Sequence, residues 1–99
     1  MLFAVSYRVR PNATEETVAR SLKLFTQWKP PEAFTFKAHY THADGGGGLA
    51  LVDIDSAAAA LEVAGAWTPF FEFTIVPIVE IGQAVQLGFG NVEWRSSVK

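Results

Sequence analysis

One local pattern occurs twice in this chain and constrains its fold more than any other. A run that alternates apolar and polar residues gives way to a helical period, and then alternation returns. From Leu2 to Arg10, Phe3, Val5, Tyr7 and Val9 share one side and Ala4, Ser6, Arg8 and Arg10 the other, which is the two-residue period of a strand. Pro11-Asn12 stops it, because proline cannot donate to a ladder. Thr14, followed by Glu15 and Glu16, is placed to cap a helix with Val18, Leu22 and Phe25 on one face and Arg20, Lys23 and Gln27 turned outward. Pro30-Pro31 ends that helix. A second alternating run covers Ala33 to Thr41, with Phe34, Phe36, Ala38 and Tyr40 opposed to Thr35, Lys37, His39 and Thr41. The glycines Gly45 to Gly48 lead into a short apolar run, Leu49 to Ile54, so these strands form a hairpin. Asp55 or Ser56 caps a second helix, Ala57 to Trp67, with Leu61 on its buried side, and Thr68-Pro69 breaks it. A long last strand is expected over Phe71 to Ile81. The tail from Gly82 then holds a short helix through Leu87 and frays after Gly88 and Gly90.

The order β-α-β-β-α-β specifies an α+β architecture of the ferredoxin-like kind, a four-stranded antiparallel sheet with two helices on one face. With 99 residues the chain supports one core, expected over residues 1–87, with 88–99 as a C-terminal tail. A hydrophobic share of 49% against 18% charged residues excludes a disordered chain. The absence of cysteine removes disulfides, thiolate metal sites and cysteine nucleophiles together. A net charge of −2 argues against a nucleic-acid partner. The third strand agrees: Leu49-Ala50-Leu51-Val52-Asp53 lacks the aromatic and basic side chains with which a sheet of this order binds RNA. No stretch reaches the roughly 18 apolar residues of a membrane span, and Met1 to Val9 lacks the basic start of a signal peptide. A cytoplasmic protein without membrane or nucleic-acid partners is therefore expected.

Two helices leave one sheet face uncovered. The odd positions of the first strand and the even positions of the second are assigned to the helix side. The other face then carries Ser6, Arg8, Lys37, His39, Glu72 and Thr74, with Ala4, Val76 and Ile78 among them. It is too apolar to stand bare and too charged to be a dry core. The second strand forms a long aromatic edge, which invites pairing. Both liabilities vanish if two sheets close into a dimeric α+β barrel, so a two-fold homodimer is expected.

Several segments carry a resemblance through their order and spacing. They are Met1-Leu2-Phe3-Ala4-Val5-Ser6-Tyr7, Pro30-Pro31-Glu32, Ala43-Asp44-Gly45-Gly46, Asp53-Ile54-Asp55, and Trp67 followed by Phe71-Glu72-Phe73-Thr74-Ile75-Val76-Pro77-Ile78-Val79. Together they resemble domain-of-unknown-function family 3303, small bacterial proteins similar to dimeric α+β-barrel domains. The resemblance extends from Met1 to Leu87 and departs at Pro69-Phe70, where the family often has an acidic residue and leucine. It implies the fold and the dimer and brings no established activity. The wider barrel group is similar in topology to cofactor-independent monooxygenases, haem-degrading enzymes and muconolactone-type isomerases, but a shared fold does not transfer chemistry. Haem degradation is disfavoured further because no histidine follows His42.

The candidate site residues are few. His39 is expected on the open face near Lys37, as a ligand-facing or proton-transferring group or as an interface histidine. His39 and His42 lie three apart on a strand and point to opposite faces, so no metal site is expected, and no cofactor. The glycine run leads into a strand and adds Leu49-Ala50, where a phosphate loop leads into a helix and adds Lys-Ser/Thr. Arg8 and Glu72 fall on neighbouring strands and the same face. They form either a cross-strand ion pair or a polar pocket with Arg8 holding an anion and Glu72 acting as base. Tyr7, Trp28, Tyr40 and Trp67 pack the core or line an apolar cavity between helices and sheet. The favoured reading is a small dimer that binds an apolar or aromatic small molecule. A non-catalytic structural or regulatory homodimer is the first alternative, and a cofactor-free monooxygenase- or isomerase-like enzyme using His39, Arg8 or Glu72 is the second. A filled, dry interior would favour the structural dimer; a cavity would favour binding.

Overall fold

The computed structural model describes residues Met1–Lys99. Its elements run β1 (Leu2–Val9), α1 (Glu15–Gln27), β2 (Phe34–Thr41), β3 (Gly47–Ile54), α2 (Ala57–Trp67), β4 (Phe71–Pro77) and α3 (Ile81–Ser97). The strands form one antiparallel sheet in the order β2-β3-β1-β4, which leaves β2 and β4 as edges. This is the expected ferredoxin-like α+β fold with a third helix appended.

Local chemistry sets the helix starts. The Thr14 side chain accepts from the Thr17 amide at 3.2 Å, and Thr17 Oγ1 accepts from the Thr14 amide at 2.9 Å, a reciprocal cap that satisfies two free donors. Ser56, of the two residues expected to do so, caps α2 by accepting from the Ala59 amide at 3.2 Å. Trp28 ends α1 in extended geometry, two residues before Pro30-Pro31, which could not continue the helix.

The buried core joins Val5, Phe34, Ala50, Val52 and Ile54 of the sheet to Ala59, Ala60, Val63 and Trp67 of α2. Each fully buried Val or Ile contributes roughly 1.5–3 kcal/mol of transfer free energy. The small alanines let α2 lie close to the sheet. Leu61, expected on the buried side, is 74% exposed, because the Ala59-Ala60-Val63-Ala64-Trp67 stripe takes the inward face and turns it away. α1 contributes no residue to the buried core cluster and packs only the half-buried Leu24 against it. Its apolar positions Val18, Leu22 and Phe25 remain 44%, 64% and 53% exposed, and Ser21 is its one buried residue.

The C-terminal part differs from the expectation in two ways. β4 ends at Pro77, short of Ile81, and Ile81 opens a helix. That helix then runs unbroken through Gly88 and Gly90 to Ser97, where fraying was expected. Each interior glycine costs about 1 kcal/mol relative to alanine, and the good helix formers Gln83, Ala84, Gln86, Leu87, Glu93 and Arg95 around them offset part of that cost. No residue of α3 is buried. It draws the radius of gyration out to 17.8 Å, against about 13 Å for a compact chain of this length. No helix is long and apolar enough to cross a membrane.

Candidate functional site

A cavity of about 330 Å³ opens between the sheet and the two flanking helices. Its floor is Val5 and Tyr7 of β1, Phe34, Phe36, His39 and Thr41 of β2, Ala50 of β3, and Phe71 and Phe73 of β4. Ser21, Leu22 and Phe25 of α1 roof one side, and Val63 and Trp67 of α2, with Trp28, close the other. The space exists because α1 stands off the sheet while α2 does not. Aromatic rings hold its shape: Trp28 and Trp67 meet edge to face with centroids 5.5 Å apart, Trp28 meets Phe36 at 6.2 Å, and Phe25 meets Trp67 at 5.9 Å. Such pairs contribute about 0.5–1.5 kcal/mol each beyond their burial.

Of the four aromatic residues expected to pack the core or line a cavity, Tyr7, Trp28 and Trp67 lie along this one. Tyr40 does not. It is 68% exposed and pairs with Leu49 on the far face of the sheet. His39 is displaced in the opposite sense, from the expected open face to the helix side. A β-bulge causes both changes. Phe36 pairs with Val52, and the next residue across from β3 is Ala38 opposite Leu51, so Lys37 is an extra residue that inverts the alternation after it. The bulge resolves a parity conflict. The hairpin pairs Thr41 with Gly48, and counting back without an insertion would set Lys37 and Thr35 against the buried Val52 and Ile54. One inserted residue lets Phe36 and Phe34 take those places.

The bulge brings two polar groups together. Tyr7 Oη lies 2.7 Å from His39 Nε2, with the rings edge to face, and the imidazole stacks on Phe36 at 5.0 Å and 9°. The pair sits at the solvent-facing mouth of the cavity, with Tyr7 half-buried and His39 exposed, and partial burial pushes the Tyr7 hydroxyl pKa up and the His39 pKa down. The Tyr7 ring reaches His39 by crossing Gly48, its partner on β3. A Cβ at Gly48 would overlap the Tyr7 hydroxyl, and one at Gly47 would overlap the Tyr7 carbonyl. Only Gly45, at φ +75°, needs glycine for the turn itself. The glycine run thus serves the cavity as well as the hairpin.

A second depression, of about 270 Å³, adjoins the first and shares Tyr7, Ser21, Leu22, Thr41 and Phe71 with it. Arg10 stands there, its Nε donating to the Thr68 carbonyl at 2.6 Å. Arg8 and Glu72 sit directly opposite each other on the uncovered face, as expected. They form no ion pair within 4 Å; the ion pair the structure does hold joins the N-terminal ammonium to Asp53 at 2.9 Å. The sheet separates Arg8 and Glu72 from His39, so the three do not share a site. No three His, Asp or Glu side chains converge in a way that could hold a metal.

A family profile described as Domain of unknown function (DUF3303) matches residues 1–91. The chain belongs to this family. The match covers the whole sheet, both flanking helices and the first part of α3. No curated protein matches the chain.

Proposed function

We propose that this member of the DUF3303 family binds an apolar or aromatic small molecule in the cavity beneath α1. The observation that carries the reading is the open, aromatic-lined space of about 330 Å³ where a chain this short would otherwise complete its core. That volume lies at the small end of the range for ligand sites. Closing α1 onto the sheet would remove Leu22 and Phe25 from water, so the exposed apolar helix face is a standing cost that a bound apolar molecule offsets.

The working state under this reading is a homodimer. An apolar row, Ala38, Leu51, Ala4 and Val76, crosses the uncovered face of the sheet, flanked by the exposed Tyr40 and Leu49. α3 also exposes Ile81, Val85, Phe89 and Val92 along one side, and an isolated helix of its length is marginal in water. A second copy covers both. Sedimentation equilibrium at micromolar concentration should return a dimer, and Val76→Asp should shift it toward monomer; a wild-type monomer would remove this part of the reading.

Binding is tested with the neutral fluorophore phenylnaphthylamine. Its emission should rise and shift to the blue on the wild-type protein, and Ser21→Phe, which pushes a ring from α1 into the cavity, should abolish the change while the circular dichroism spectrum is retained. An enhancement that persists in Ser21→Phe would place the probe elsewhere and overturn the assignment.

A further inference from the structure

An apolar cavity selects its ligand by the few polar atoms that face it, and here most candidates are already engaged. The Ser21 hydroxyl donates to the Val18 carbonyl at 2.7 Å and the Thr41 hydroxyl to the Gly47 carbonyl at 3.2 Å. The Tyr7–His39 pair is different, because one hydrogen bond at 2.7 Å uses only part of what the two groups offer. With the phenol donating, Nε2 accepts and the Tyr7 oxygen keeps a lone pair for a ligand hydroxyl. With Nε2–H donating, the Tyr7 O–H is released toward a ligand carbonyl. Moving between the two arrangements needs only the other imidazole tautomer and creates no charge.

The cavity lining contains no Lys, Arg, Asp or Glu, and its ionisable groups are Tyr7 and His39 alone. A charged ligand group there would lose hydration without gaining a partner of opposite charge. Arg10 lines the neighbouring depression instead, where its Nε donates to the Thr68 carbonyl. The pair is also built into place rather than incidental: the bulge at Lys37 turns His39 inward, Phe36 stacks beneath it, and the bare Gly48 lets the Tyr7 ring cross to it.

We propose that Tyr7 and His39 form the polar anchor of the cavity, and that the ligand is an uncharged aromatic molecule carrying a hydroxyl or carbonyl group directed at them. This rests on the reading of the cavity as a ligand site and names the class of molecule it takes.

The test compares naphthalene, naphthol and naphthalenesulfonate on the full chain, by calorimetry or tryptophan fluorescence. Naphthol should bind about three- to tenfold more tightly than naphthalene, the worth of one net hydrogen bond, and the sulfonate more weakly than either. Tyr7→Phe should erase the preference for naphthol, read as the ratio of the two affinities within that variant. If that variant does not fold, nitrogen-detected NMR of wild-type His39 separates the same outcomes: naphthol shifts Nε2 and naphthalene does not. Equal affinity for naphthalene and naphthol, or a preference that survives in Tyr7→Phe, overturns the anchor and leaves the cavity assignment standing. Binding of none of the three removes both.

Discussion

Helices α1 and α2 cross the same face of the same sheet, yet α2 buries Ala59, Ala60, Val63, Ala64 and Trp67 while α1 buries Ser21 alone. Their sequences explain the contrast. α2 is built on alanine at the positions that meet the strands, so its backbone can approach closely. α1 presents Leu22 and Phe25, large side chains that roof a space. One half of the domain holds the fold together, and the other half holds a cavity open. Stability and binding should therefore separate by helix.

The largest expected effect is at Trp67, which belongs to both halves. Trp67→Ala should cost about 3–5 kcal/mol in urea unfolding and should also weaken binding of phenylnaphthylamine. Gly48→Ala comes next. A methyl group there meets Tyr7, so about 1–3 kcal/mol of overpacking is expected, together with loss of the Tyr7–His39 hydrogen bond in NMR. Leu22→Ala sharpens the contrast: its exposed side chain should cost under about 1 kcal/mol, yet the same change should weaken probe binding because Leu22 lines the cavity. A large stability loss at Leu22 would break the comparison between the helices.

The smallest effect is in the pH dependence. Burial holds His39 below its ordinary value, so the unfolded chain takes up the proton first as pH falls. That contribution to stability is complete above about pH 6.5 and is lost as pH drops through the folded value. Tyr7 has the opposite sign: held above its ordinary value, its contribution is complete below about pH 10 and is lost as pH rises through the folded value. Tyr7→Phe should flatten the alkaline limb and His39→Phe the acid one, read from urea midpoints across pH.

Much of the fold was legible because its signals are local. Alternation marks three strands and an apolar run the other, Thr14 and the Asp55-Ser56 pair mark the helix starts, and the two prolines mark the end of α1. The cavity was legible only in part. Tyr7, Trp28 and Trp67 face it because their parity or helical phase places them there, but His39 and Tyr40 exchanged faces. That exchange depends on the Lys37 bulge, which no single strand reveals: it emerges when the register imposed by the hairpin is set against the need to bury Phe34 and Phe36. Gly47 and Gly48 left a readable trace, since the turn uses one left-handed glycine and the run supplies more. Leu61 faces outward because a helix rich in alanine offers several apolar stripes, and the sheet accepts the one that ends in Trp67. α3 outran its glycines because helix-favouring neighbours carry it past them.

The three tryptophans provide the most direct measurement, because Trp28 and Trp67 line the cavity while Trp94 sits exposed on α3. In a nitrogen–proton NMR titration with naphthalene, the Trp28 and Trp67 indole signals should move together and saturate while Trp94 stays fixed. Movement of Trp94 without the other two, or no movement of any, would contradict a ligand site beneath α1.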